Sequence, residues 1–128
     1  PVINWTSEVL TADLATGAPR YWFGAMPWEK PEEYWRRSPL SLVGNVRTPT
    51  LVVVGEQDYR TPISEAAQYY QALQLRGVPT AFVTVPDASH GFTARPSQSA
   101  AKASAIIAWF DRYRTDRVKP AAPAIAGQ

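Results

Sequence analysis

The sequence predicts an α/β protein in which a small parallel sheet is covered by helices. Two observations carry this prediction. A continuous aliphatic and β-branched run at residues 50–54 precedes one amphipathic segment, and a second run at Thr80–Val85 precedes another. The first run has no polar alternation, which is typical of a strand buried on both faces of a parallel sheet, and the second run is the second strand. We therefore expect the order strand, helix, strand, helix in the second two-thirds of the chain.

The first third of the chain, residues 1–42, is rich in aromatic side chains that are interspersed with prolines and glycines. It contains one clear helical segment, residues 31–37, which begins with a proline in its first turn, where a missing N–H costs nothing. We expect the rest of this region to be a long excursion over the surface of the protein.

The helix after the first strand has recognisable ends. Thr61 and Pro62 predict an N-cap and a first helical position, and Gly77 with Pro79 predicts the stop. Between them, apolar residues recur at helical spacing: Ile63, Ala66, Ala67, Tyr70 and Leu73. This spacing predicts one amphipathic helix that crosses between two parallel strands.

The last predicted helix covers residues 97–114. Its inner face is expected to consist of Ala103, Ile106, Ile107, Phe110 and Tyr113. Residues 115–128 have few core-forming side chains and repeated prolines, so we expect a flexible tail after a folded segment at residues 1–114.

Composition excludes several classes of function. The chain has 128 residues, a formal charge of +2 and no cysteine. Basic residues form no nucleic-acid-binding stripe, and disulfides, thiolate metal sites and a cysteine nucleophile are excluded. No apolar run approaches the roughly 20 residues of a membrane span. The sequence predicts a soluble protein, whether cytoplasmic or periplasmic, and its first residues suggest an internal cut.

Asp58 and His90 are the candidate catalytic residues. Each follows a predicted strand, and His90 is the only histidine. A buried carboxylate that orients an imidazole is the acid–base half of a serine-hydrolase triad. No serine, however, has the Gly-x-Ser-x-Gly surroundings of a nucleophile elbow. The alternative is that Asp58 is an ordinary turn or cap residue and that His90 is incidental.

Several blocks together resemble the C-terminal part of the catalytic domain of the prolyl oligopeptidase family of serine peptidases. They are Pro-Val-Ile-Asn-Trp at residues 1–5, Tyr-x-x-x-Ser-Pro at 34–39, Arg-Thr-Pro-Thr at 47–50, Gly-Glu-x-Asp-x-Arg-x-Pro at 55–62, Gly-Val at 77–78 and His-Gly-Phe at 90–92. The resemblance is nearest to the acylaminoacyl peptidase branch. It implies a partial α/β-hydrolase fold and chemistry without cofactor or metal.

The resemblance also implies roles for individual residues. Asp58 would be the triad acid, with Glu56 as a rival that more plausibly supports the loop, and His90 would be the general base. Arg60 would present its guanidinium to a peptide carbonyl of the substrate. Val2, Trp5 and Thr61 would line the pocket for the side chain that precedes the scissile bond, although Trp5 could equally be a core residue. Glu8 stands where dipeptidyl peptidases of this family carry a pocket tyrosine, which argues against their preference for proline.

The resemblance further implies partners. The nucleophilic serine would come from an N-terminal remainder of the same peptidase. In this family a β-propeller usually precedes the hydrolase domain. The substrate would be a peptide. A homo-oligomer is possible, and this chain alone should be inactive. Two other hypotheses stay open: an esterase or dienelactone-hydrolase-like enzyme, which shares the order of acid and histidine, and a non-catalytic interaction module on the same scaffold.

Overall fold

The computed structural model describes residues 1–13 and 17–114. Its regular elements are helix α1 Trp5–Thr11, a π-helical turn Pro19–Phe23, helix α2 Pro31–Arg37, a 3₁₀ segment Pro39–Asn45, strand β1 Thr50–Gly55, helix α3 Ile63–Leu75, strand β2 Thr80–Val85 and helix α4 Pro96–Tyr113. The predicted tail, residues 115–128, lies outside the described residues. None of the described helices is long and apolar enough to cross a membrane.

The two strands form a parallel pair, as the sequence predicts. Their register runs from Thr50 opposite Thr80 to Gly55 opposite Val85, and α3 connects the end of β1 to the start of β2. Because both strands run in the same direction, the loops that follow them emerge at the same edge of the sheet. That edge carries Asp58 and His90.

The prediction that residues 50–54 are buried on both faces is wrong for this chain. Val52 and Val54 are buried against Ala66 of α3, whereas Leu51 and Val53 are only half-buried. Leu51 and Val53, on the second face of the strand, line an open apolar pocket of about 670 Å³ together with Ile106 and Phe110 of α4. A side chain is fully buried only when a partner lies on its own face of the pleated strand, and α4 leaves part of this face uncovered.

Helix α3 ends as predicted but does not begin as predicted. Gly77 has a positive φ of 69°, its amide bonds to Gln74, and the amide of Val78 bonds to Leu73, which is the hydrogen-bond pattern of a Schellman cap. At the other end the N-cap is Pro62, not Thr61. The Thr61 side chain turns instead to Asp58.

The inner face predicted for α4 is also incorrect in part. Ile106 and Tyr113 are half-buried, but Ala103, Ile107 and Phe110 are exposed, and on α3 the predicted apolar positions Ile63 and Ala67 are exposed as well. Helical periodicity identifies which residues share a face, but only the neighbouring elements decide how much of that face is covered.

The first third contains more regular structure than the sequence indicates. Helix α1 was not predicted; Asn4 caps it by accepting a hydrogen bond from the Thr6 amide. Helix α2 has the predicted bounds, and its fully buried Tyr34 stacks on Phe23 with ring centroids 3.9 Å apart. A helix of two turns is marginal by itself, so its stability must come from tertiary contacts.

Candidate active site

The loops that follow β1 and β2 are joined by backbone hydrogen bonds. The amide of Glu56 donates to Val85 at 3.0 Å, and the amide of Gln57 donates to Ala88 at 2.9 Å. Gly55 makes this approach possible, since a Cβ atom there would lie 2.3 Å from the carbonyl oxygen of Ala88. The loop that carries Asp58 and the loop that carries His90 therefore form one unit.

Asp58 lies at the centre of this unit and is 5% exposed. Its Oδ1 accepts hydrogen bonds from the backbone amides of Arg60 at 3.0 Å and Thr61 at 2.9 Å. Its Oδ2 accepts from the Thr61 hydroxyl at 3.1 Å and lies 3.0 Å from Nδ1 of His90. Burial pushes the pKa of Asp58 upward, but the hydrogen bonds from Thr61 and His90 outweigh burial, so this pKa lies below its ordinary value. The carboxylate is ionised at neutral pH.

The side chain of His90 is 57% exposed, although its partner is buried. An ionised carboxylate accepts hydrogen bonds only, so the proton of the neutral ring belongs on Nδ1, which faces Asp58. Nε2 is then a free base. Two side chains that were expected to pair as acid and base thus lie within hydrogen-bond distance of each other, in the tautomer that general-base chemistry requires.

Glu56, the rival acid, does not take part in this pair. It is exposed, and its Oε2 accepts a hydrogen bond from the backbone amide of Asp87 at 3.3 Å. This contact crosses from the acid loop to the histidine loop, which is the supporting role that the sequence suggests for it.

A pocket of about 500 Å³ opens beside His90 and brings together the four residues predicted to contact substrate. Val2, Trp5, Arg60 and Thr61 all line it. Trp5 is half-buried, and its ring lies nearly perpendicular to that of Trp22, with the ring centroids 5.2 Å apart. Trp5 therefore contributes to the packing of the first third and to the wall of the pocket at once.

Arg60 lies at the rim of this pocket with its side chain 47% exposed. Its Nε donates a hydrogen bond to Oδ1 of Asp13 at 2.7 Å. A second contact, from the Asp13 amide to the Tyr59 carbonyl at 2.8 Å, fixes the same two segments together. The pair orients the guanidinium, whose remaining N–H groups have no hydrogen-bond partner among residues 1–13 and 17–114.

One glutamate beside the site, Glu65, was not identified from the sequence. Glu65, fully buried, accepts hydrogen bonds from the amides of Ile3 and Asn4 at 2.9 and 2.8 Å and from the Ser7 hydroxyl. It thereby ties the pocket wall at residues 1–5 to α3. The only local signal was an acidic residue in the first turn of a helix, which is common and says nothing about a tertiary partner.

Glu8 projects from α1 into the lining of the pocket and is 7% exposed. Its Oε2 is buried with no hydrogen-bond partner among residues 1–13 and 17–114. Burial, reinforced by the negative charge of Glu65, raises the pKa of Glu8 to about 7. Within the same part of the chain, no three acidic, histidine or cysteine side chains are grouped so as to hold a metal ion.

Comparison with known proteins identifies relatives of this chain. The sequence profile of the prolyl oligopeptidase family matches residues 1–117. The uncharacterized peptidase YuxL of Bacillus subtilis is 35% identical over 114 residues, which cover 88% of this chain and 17% of that protein. The acylamino-acid-releasing enzyme of Arabidopsis thaliana is 32% identical over 120 residues, covering 88% of this chain and 16% of that enzyme.

The fold has a solved counterpart in the acylaminoacyl peptidase of Pyrococcus horikoshii. The two superpose with a TM-score of 0.80 at 22% sequence identity, over 89% of this chain and 20% of that one. The structure is accordingly part of an α/β-hydrolase fold, and the chain spans about a sixth of the length of the two curated relatives above. By its sequence profile and its relatives, the chain belongs to the prolyl oligopeptidase family of serine peptidases.

Proposed function

We propose that this chain supplies the acid and the general base of a serine peptidase that cleaves short or N-acylated peptides by acyl transfer. The observation that carries the proposal is the contact of 3.0 Å between His90 Nδ1 and the buried carboxylate of Asp58. Asp58 holds the neutral ring in the tautomer with its proton on Nδ1, so that Nε2 can accept a proton, and it stabilises the imidazolium once that forms. The nucleophilic serine comes from another part of the same protein, and the chain alone is inactive.

In this mechanism His90 moves one proton in each half of the reaction. Nε2 takes the proton of the serine hydroxyl while the serine oxygen bonds to the carbonyl carbon of the substrate. The imidazolium then gives that proton to the leaving amine as the carbon–nitrogen bond breaks. Water deacylates the ester in the same way, so that serine and the neutral imidazole are restored.

The pocket beside His90 favours a peptide substrate. Its walls, which include Val2 and Trp5, suit the side chain of the residue that precedes the scissile bond. Arg60 stands at the rim with its Nε bonded to Asp13, and its other guanidinium nitrogens, which have no partner within the described part of the chain, would bind a peptide carbonyl. Simple esters have no peptide carbonyl besides the ester group that reacts. Dependence of turnover on Arg60 therefore distinguishes a peptidase from an esterase on this scaffold.

The test uses the full-length protein that contains this chain. We expect Asp58→Asn to lower kcat by about 10³- to 10⁴-fold, because an amide cannot hold the imidazole in the required tautomer. His90→Ala should in addition abolish labelling of the serine by a fluorophosphonate probe. Labelling and turnover that survive both substitutions would refute the proposal and favour a non-catalytic module.

A second measurement distinguishes peptidase from esterase. Arg60→Ala should reduce kcat/KM for a peptide by about 10- to 100-fold, the value of a charge-assisted hydrogen bond, and should leave an activated ester nearly unaffected. Arg36→Ala is the matched control, because Arg36 also forms a surface ion pair, with Glu33 at 2.9 Å. Equal losses for peptide and ester would support the esterase hypothesis.

A further inference from the structure

Glu8 presents a carboxyl group for which the described part of the chain offers no explanation. It is 7% exposed, its Oε2 has no hydrogen-bond partner among the described residues, and it lines the pocket beside His90. A buried carboxylate without a partner costs free energy, and natural proteins rarely keep one unless a ligand or function uses it. It has no part in the proton transfers described above.

The electrostatic surroundings of Glu8 favour a cation. The titratable groups that act on it come from the elements around it: Glu65 on α3, and Asp58 and His90 on the two loops. Glu65 and Asp58 both oppose ionisation of Glu8, so the potential at its carboxyl group is negative on that account. Arg60, which shares the pocket, is already paired with Asp13. An incoming positive charge would relieve the cost of ionising Glu8.

The rest of the pocket suits the stem of a long basic side chain. Val2, Val9 and Ala12 contribute aliphatic surface, and Trp5 and Trp22 contribute aromatic faces, within a space of about 500 Å³. Lysine and arginine bury their methylene groups on such surfaces while the charged end finds its own partner. Cations are also attracted to aromatic faces.

We propose that Glu8 determines specificity by receiving the ammonium or guanidinium group of a lysine or arginine side chain that precedes the scissile bond. This inference rests on the proposed peptidase function and deepens it. A free amino terminus of a short peptide carries the same chemistry, and the experiment must separate the two sources of the cation. Glu8 contacts substrate in this scheme but takes part in no bond making or breaking.

The test measures cleavage of two N-acetylated amino-acid anilides by the full-length peptidase. One substrate contains lysine and the other contains norleucine, which lacks the ammonium group. The ratio of their kcat/KM values isolates the ammonium group, because the chemistry of His90 is common to both and cancels. We expect the ratio to exceed one and to rise as the pH passes about 7, where Glu8 ionises. Glu8→Gln, which keeps the shape of the side chain, should lower the ratio about 10- to 100-fold and remove its pH dependence.

Glu32→Gln is the matched control, since Glu32 is exposed on α2, and it should leave the ratio unchanged. The inference would be overturned if the lysine-to-norleucine ratio of kcat/KM were the same in wild type and Glu8→Gln. It would also be overturned if this ratio did not change with pH in the wild type, a measurement that does not depend on the folding of any variant. If Glu8 raises kcat/KM only for a norleucine anilide with a free amino group, then Glu8 binds the amino terminus of the substrate and not a basic side chain. Failure to cleave even acetyl-norleucine anilide would overturn the peptidase proposal itself.

Discussion

Replacing Thr61 by valine removes one hydroxyl group from the centre of the acid–base pair. The hydroxyl lies 3.1 Å from Asp58 Oδ2 and 3.3 Å from His90 Nδ1, while the Thr61 amide, which the substitution keeps, holds Oδ1 at 2.9 Å. A hydrogen bond to a buried charged group contributes about 1.5–3 kcal/mol. Thr61 is half-buried, so the lower end of that range applies. We expect kcat/KM of the full-length peptidase to fall about tenfold.

The assay is steady-state cleavage of a peptide anilide, with a melting curve recorded for each variant. Because the folded-state pKa of Asp58 is lowered, its stabilising hydrogen bonds are fully effective above the ordinary pKa of 3.8 and are lost as the pH falls through the folded-state value. The difference in Tm between wild type and Thr61→Val should therefore shrink under acidic conditions. Thr84→Val, an exposed threonine in β2, serves as control. Unchanged turnover in Thr61→Val would refute the idea that this hydroxyl supports the pair.

Two further substitutions test the framework of the site. Glu65→Gln replaces a fully buried carboxylate, which accepts hydrogen bonds from two backbone amides, with an amide that must bury N–H donors of its own. We expect it to lower the free energy of unfolding, measured by urea titration, by about 2–3 kcal/mol. A loss under about 0.5 kcal/mol would contradict this. Gly55→Ala places a methyl group 2.3 Å from the carbonyl oxygen of Ala88, so destabilisation of about 2–3 kcal/mol is expected. Gly44→Ala, whose nearest contact is a flexible arginine end at 3.8 Å, should be neutral by the same measurement.

The second two-thirds of the chain could be predicted well because its signals are local. A β-branched run makes a strand wherever it can be buried, and Gly77 ends a helix because glycine adopts a positive φ without strain. The proximity of Asp58 and His90 followed from these elements, since residues after parallel strands meet at one edge.

The remainder depends on contacts between segments that are distant in sequence. Helix α1 forms where Glu65, some 60 positions away along the chain, accepts the amides that precede it. No pattern within residues 1–13 contains that information. The exposure of Phe110 and the half-burial of Val53 likewise depend on what covers each face, which periodicity does not specify.

The hydrogen-bonded contact between the two loops, with Gly55 packed on the backbone of Ala88, has a consequence for how activity can be regulated. Because backbone hydrogen bonds join the two loops, we expect the carboxylate of Asp58 and the imidazole of His90 to move together. Under the proposed mechanism, we therefore expect conformational control of catalysis to act on the distance between this pair and the proposed serine. Switching between resting and working forms would then leave the nuclear magnetic resonance signals of the Asp58–His90 pair in place, while the accessibility of the serine changed.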